Sequence, residues 1–201
     1  MKIFILTGII GSGKSTAGAI LKDLGAAVID SDLLARQVLE PRTAAFLETV
    51  EVFGQDVLTN RGTIDRSKLG KIVFNNPQAL FKLNSIIHPR VDQKVDRLIQ
   101  EYEKEGKKAV FIEMAVLAEA EVPFMRRVEG VWVIKSSKDL TLHRLKERGV
   151  SEKNALERMA NQPPAEERIK HKLTIIMNNG DKGELKAKIR KLWEEIEAKS
   201  H

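Results

Sequence analysis

Near its amino end the chain reads Lys2-Ile3-Phe4-Ile5-Leu6-Thr7, then Gly8-Ile9-Ile10-Gly11-Ser12-Gly13-Lys14-Ser15, then Thr16-Ala17-Gly18-Ala19-Ile20-Leu21. An apolar strand, a glycine-rich loop and a helix follow one another without a gap, and the loop fits the phosphate-binding pattern G-x-x-x-x-G-K-[ST]. Glycines let the backbone take positive φ and approach a ligand closely, so successive N–H groups can hold phosphate oxygens. Lys14 adds a point charge, and the helix beginning near it turns its positive end to the same place. Gly8, Gly11, Ser12, Gly13, Lys14, Ser15 and Thr16 are the nucleotide-binding residues expected here, with Ser15 as the Mg²⁺ ligand. The alternative is a glycine turn that only joins a strand to a helix; Lys-Ser and two correct flanks argue against it.

Ala26 to Asp30, Lys108 to Glu113, Gly130 to Lys135 and Leu173 to Met177 read as further short strands, separated by helical stretches. That alternation predicts an α/β chain, a mostly parallel five-stranded sheet covered on both faces in three layers. A length of 201 residues suits one domain with small excursions. From Arg42 to Gln100 the pattern is helical, with Ala44 to Phe53, a turn region from Gly54 to Gly62, Ser67 to Phe74 and a long stretch from Pro77. In His88-Pro89-Arg90 the proline lacks a helical donor. It is expected to kink or interrupt its helix and turn His88 and Arg90 out of the regular surface. An exposed histidine beside a structural proline is the alternative.

In open α/β sheets ligands sit beyond the carboxyl ends of the strands. The second strand delivers Asp30-Ser31-Asp32 to that edge and the third delivers Glu113, where phosphate-loop enzymes keep an acid that holds Mg²⁺ directly or through water. Asp32 also opens a helical stretch in which a four-residue step sets Arg36 on the same face. An N-cap carboxylate with an intrahelical salt bridge is the competing reading. Arg144, Arg148 and Arg158 have spacings suited to presenting guanidinium groups over the loop; solvated surface arginines are the alternative.

Composition narrows the classes further. With no cysteine the chain has no disulfide, no thiolate nucleophile and no cysteine-based zinc site. The net charge of +6 comes from basic residues interleaved with acids, as in Glu101 to Glu105 and Lys186 to Glu197, and aromatic residues are only 5% of the chain. That describes a solvated surface better than a nucleic-acid stripe, and no nucleic-acid partner is expected. No apolar run approaches the roughly twenty residues a bilayer needs. The chain is therefore expected in the cytoplasm, without a membrane partner.

The run Thr7 to Thr16, Asp30-Ser31-Asp32 followed by Ala35-Arg36, His88-Pro89, the arginine-rich stretch Arg144 to Gln162, and Asn178-Asn179-Gly180 together resemble the dephospho-coenzyme A kinase family, in order along almost the whole chain. The resemblance implies a P-loop kinase fold: a nucleotide-binding core of about 1–38 and 106–201, a helical substrate-binding excursion of about 39–105, and a helical lid of about 136–165. It implies transfer of the ATP γ-phosphate to the ribose 3′-hydroxyl of dephospho-CoA with Mg²⁺, the last step of coenzyme A synthesis, by a monomer or small homo-oligomer. By the same resemblance Asp32 is the base or orienter of the hydroxyl, and Lys14 and Arg144 serve the transferred phosphate. Thr7, Arg36, His88 and Glu119 belong to the acceptor site, and Asn178 and Gly180 lie near adenine. The chain departs from the family in two places. Ala115-Val116-Leu117-Ala118-Glu119 replaces the usual Pro-Leu-Leu-x-Glu, and His171-Lys172 stands where Ala-Asp is common. Two rival functions remain at this point: another small-molecule or nucleoside-monophosphate kinase, and a nucleotide-dependent switch or nucleic-acid-associated ATPase.

Overall fold

The computed structural model describes residues 1–74, 76–114, 123–160, 162 and 172–198. Strands β1 (Lys2–Thr7), β2 (Ala27–Asp30), β3 (Ala109–Glu113), β4 (Val128–Lys135) and β5 (Leu173–Met177) form one sheet in the order β2-β3-β1-β4-β5. All four pairings are parallel. Each crossover therefore needs a connection that returns over a sheet face, which is the job of the helices between the strands. The helices are α1 (Lys14–Asp23), α2 (Ser31–Gln37), α3 (Ala44–Phe53), α4 (Arg66–Phe74), α5 (Pro77–Lys104), α6 (Lys138–Glu147), α7 (Glu152–Ala160) and α8 (Lys182–Ala198).

The chain forms two compact units, Met1–Asp30 with Leu98–His201, and Ser31–Arg97. In the first, both faces of the sheet are buried. Side chains alternate across a strand, so Phe4, Leu6, Phe111, Trp132 and Ile134 line one face and Ile3, Ile5, Val110, Ile112, Val131 and Val133 the other. Two-sided burial explains why the strands read as continuous apolar runs. On the first face Phe4 stacks on Phe111 at 5.1 Å between ring centroids, and Trp132 meets Phe111 edge-on at 4.8 Å. Ala17, Ile20 and Leu21 of α1 and Leu185, Ile189, Trp193 and Ile196 of α8 close over these rings. Emptying the centre of such a cluster, as in Phe111→Ala, costs on the order of 3 to 5 kcal/mol.

The second unit is helical, with a small core of Val57, Leu69, Val73 and Leu83. Here one expectation is corrected. Pro89 does not interrupt its helix, because α5 runs unbroken for 28 residues from Pro77 to Lys104. Leu83, Ile86, Val91, Val95 and Ile99 are buried on both sides of the proline, so packing holds the helix where local propensity would end it. Arg90 is not turned out either. Its guanidinium reaches back one turn to the Ile86 carbonyl at 2.6 Å and pairs with Glu48 at 2.7 Å. Among the described residues no helix is long and apolar enough to cross a membrane.

Candidate active site

β1 sits in mid-sheet, and the loop leaves its carboxyl end beside β3. The connection after β1 leads to β2 on one side of it and that after β3 to β4 on the other, and the strand order reverses there, which is where such sheets open a ligand crevice. Register places Glu113 beside both Leu6 and Asp30, so the end of β3 brings a carboxylate to the base of the loop.

Two glycines show why the loop has this composition. At Gly8 (φ 154°) a Cβ would collide with the Ile134 carbonyl, so the loop can leave the strand only without a side chain. At Gly13 (φ 98°), the left-handed residue that caps α1, a Cβ would run into the Asn178 side-chain amide. That amide is the loop's brace: Asn178 Nδ2 donates to the Ser12 carbonyl at 2.8 Å, and Asn178 is itself buried. With that carbonyl held, the N–H groups of Gly11, Gly13, Lys14, Ser15 and Thr16 take no hydrogen bond among the described residues. A row of unsatisfied donors at the positive end of a helix suits an anion such as a polyphosphate. Ile10 is different, since its N–H donates to Oε1 of Gln162 at 2.8 Å.

Glu113 organises the other side of the loop. Its Oε1 accepts from Ser15 Oγ at 2.9 Å and lies 3.9 Å from Lys14 Nζ, with both charged side chains mostly buried. Oε2 lies over Gly18 of α1, where a Cβ would be 2.9 Å away. A hydroxyl and a carboxylate at hydrogen-bond distance beside a donor row form a set that can take Mg²⁺ together with nucleotide oxygens. Among the described residues no three His, Asp or Glu side chains cluster to hold a metal by themselves.

Beside the loop a cleft of about 270 Å³ is lined by Gly13, Thr16, Arg144, Glu147, Arg148, Asn178, Lys182 and Leu185. Arg144 Nη2 is a long 3.5 Å from the Gly180 carbonyl, and its Nη1 is buried with no partner among the described residues. A buried guanidinium nitrogen gains from an acceptor, and a ligand in this cleft could supply one. Thr7, the last residue of β1, is buried in the sheet beside Val133.

Within the helical unit, Asp32 and Arg36 stand on α2, exposed, their side chains without hydrogen bond or ion pair among the described residues. The intrahelical salt bridge that competed with a functional reading is not formed. His88 is half-buried on α5, and Asp92, one turn along, has its carboxyl raised above the ordinary carboxylate range by burial. His88 opposes that shift and Asp96 adds to it. Glu119 lies outside the described residues, as do the departures at 115–118 and His171.

Asn178 and Gln162 are the contributors that residue patterns missed in these roles. Asn178 was expected near adenine and also braces the loop, while Gln162 stood only as the end of a basic stretch. Neither contact leaves a local signal, because the partners are 166 and 152 residues apart.

The model of the family described as dephospho-CoA kinase matches residues 2–184. The chain belongs to the dephospho-CoA kinase family. A dephospho-CoA kinase from Carboxydothermus hydrogenoformans is 40% identical over 181 residues, spanning 90% of this chain and 87% of its own. One from Geobacter metallireducens is 38% identical over 196 residues, spanning 97% and 96%. Among solved structures, the dephospho-CoA kinase from Campylobacter jejuni superposes with a TM-score of 0.72 at 30% identity, covering 100% of both chains. The family match takes in the loop, the ends of β2 and β3, all of α5 and the Asn178 brace.

Proposed function

We propose that this chain transfers the γ-phosphate of ATP to the ribose 3′-hydroxyl of dephospho-CoA, giving coenzyme A and ADP. The observation that carries the reading is the family match, which runs from β1 into α8 and so includes every part of the site that the described residues supply. In the reaction a bond forms between the 3′-oxygen and the γ-phosphorus, and the bond from that phosphorus to the β,γ-bridging oxygen breaks with its electrons leaving on ADP. The hydroxyl proton goes to a carboxylate, which we assign to Asp32, exposed and without a partner.

The remaining roles are electrostatic, since phosphoryl transfer asks a protein mainly for position and charge. The free N–H row and Lys14 hold the polyphosphate. Ser15, backed by Glu113, would hold Mg²⁺, which supplies charge neutralisation between the phosphate oxygens. Arg144 and Asn178 line the cleft beside α1, a place suited to the nucleoside of ATP. Arg36 and His88 are assigned to the acceptor. A cysteine-free chain that consumes ATP is at home in the cytoplasm.

Incubation with ATP, Mg²⁺ and dephospho-CoA tests the reading. Mass analysis should show one phosphate added to the acceptor for each ADP formed. A chain that leaves dephospho-CoA unchanged while phosphorylating a nucleoside monophosphate, or while hydrolysing ATP alone, would overturn it.

A further inference from the structure

Among the loop's donors, Ile10 is the one whose N–H is taken by a side chain from elsewhere in the fold, Gln162 Oε1 at 2.8 Å. Gln162 lies just beyond α7, and its own N–H returns to the Met159 carbonyl at 3.2 Å, so the residue is held by the end of that helix. The bond falls at the boundary between two parts of the loop. Before it lies Gly8, whose shape is set by contact with Ile134; after it come the free donors of Gly11 and of Gly13 to Thr16. Asn178 fixes the far part through the Ser12 carbonyl, and Gln162 fixes the near part through the Ile10 N–H. Without the second tie, Ile9 and Ile10 have one hydrogen bond among the described residues, the Ser12 N–H on the Ile9 carbonyl at 3.1 Å.

We propose that Gln162 is a positioning residue for nucleotide binding: its side-chain carbonyl, accepting from the Ile10 N–H, holds the tip of the loop so that the donor row from Gly11 onward is preset for a polyphosphate. The proposal rests on the ATP-binding half of the function above and not on the identity of the acceptor. Gln162 acts through the backbone and touches no reacting atom. The free donors hold phosphate in the ground state and the transition state alike, so losing the tie raises KM for ATP and leaves kcat close to its starting value.

The test compares the full chain with Gln162→Ala, which has no acceptor, and Gln162→Glu, which keeps an acceptor but adds a negative charge beside the polyphosphate. Amide hydrogen exchange of Ile10 in the nucleotide-free protein reads the bond, and β1 amides serve as the folding control. Calorimetric binding of the non-hydrolysable ATP analogue AMPPNP with Mg²⁺ reads the preset loop without any acceptor present. Gln162→Ala should speed Ile10 exchange by about tenfold and weaken AMPPNP by about threefold to tenfold, the range one hydrogen bond supports. Gln162→Glu should keep Ile10 protected yet weaken AMPPNP, with the deficit shrinking as salt is raised. A residue that only supports the fold would not separate the two readouts in this way. Unchanged Ile10 exchange in Gln162→Ala would overturn the proposal, as would faster exchange with unaltered AMPPNP affinity. If dephospho-CoA were not phosphorylated while these shifts appeared, the acceptor assignment would fall and this one would stand.

Discussion

Ser15 Oγ donates to Glu113 Oε1 across 2.9 Å, linking the last residue of the phosphate loop to the last residue of β3. The same oxygen lies 3.9 Å from Lys14 Nζ, so one carboxylate orients a hydroxyl and balances a cation before any nucleotide arrives. Its length suits the position: a glutamate on β3 reaches under α1 because Gly18 leaves room for its second oxygen. Outer partners of metal ligands commonly set metal affinity within a factor of about 10 to 100. Glu113→Gln keeps an acceptor for Ser15 and removes the charge. It should raise the Mg²⁺ concentration for half-maximal activity by about tenfold, read from Mg²⁺ titrations at fixed ATP. An unmoved titration would restrict Glu113 to holding α1 against the sheet.

Gly18 makes the packing side of that arrangement testable by a change of sign. An alanine in mid-helix is favoured over glycine by about 1 kcal/mol. Here its Cβ would meet Glu113 Oε2 at 2.9 Å, an oxygen whose carboxylate is already held by Ser15. Gly18→Ala should therefore destabilise the chain by about 1 to 3 kcal/mol in denaturant unfolding. In a Glu113→Ala background the same substitution should stabilise by up to about 1 kcal/mol. Equal effects in both backgrounds would mean that the carboxylate is not what the methyl group meets.

How much of this was legible beforehand depends on how far apart the interacting residues lie. The strands were readable because both sheet faces are buried, which makes runs such as Ala109 to Ile112 apolar throughout. The loop was readable because its glycines, Lys14 and Ser15 form one contiguous pattern between a strand and a helix. The Glu113, Asn178 and Gln162 contacts join residues 98 or more positions apart, and no periodicity carries such pairings. Pro89 misled for the converse reason. The local rule is sound for an isolated helix, but α5 buries Leu83 and Ile86 before the proline and Val91 and Val95 after it, and that burial outweighs one missing hydrogen bond.

Lys14 belongs to the loop that carries the free donors, and the role assigned to its charge is to act on phosphate oxygens as they gain charge in transfer. Removing a preorganised contact of that kind costs on the order of 3 kcal/mol, about a hundredfold in rate. Lys14→Ala should lower kcat for phosphate transfer by at least that factor, read from steady-state turnover at saturating ATP. Turnover at the starting rate would remove the loop from the mechanism.

Asp32 is tested by Asn, which keeps the shape and loses the basicity. Because the Asp32 side chain has no partner among the described residues, the exchange should leave stability and KM for ATP unchanged. The rate of transfer should fall by about a hundredfold or more, the usual reach of a general base. Near-normal transfer would hand deprotonation of the 3′-hydroxyl to solvent and reduce Asp32 to a surface residue of α2.

Asp92 provides a prediction in pH. Burial raises its carboxyl above the ordinary value of 3.8, and the nearby Asp96 adds to this while His88 opposes it. A carboxyl raised on folding binds its proton more tightly in the folded chain than in the unfolded one. Its favourable contribution is therefore complete below the unfolded value and is lost as pH rises through the folded value. At neutral pH the charged form is a burden that Asp92→Asn relieves, so the variant should melt slightly higher than the parent near pH 7. The advantage should vanish as pH is lowered below the ordinary carboxylate range, where the parent holds the proton in both states. Adding His88→Ala removes the side chain that opposes the shift and should widen the gap between Asp and Asn at neutral pH. A gap that stayed constant from pH 3 to 7 would show that Asn differs from Asp at this site by packing and not by charge.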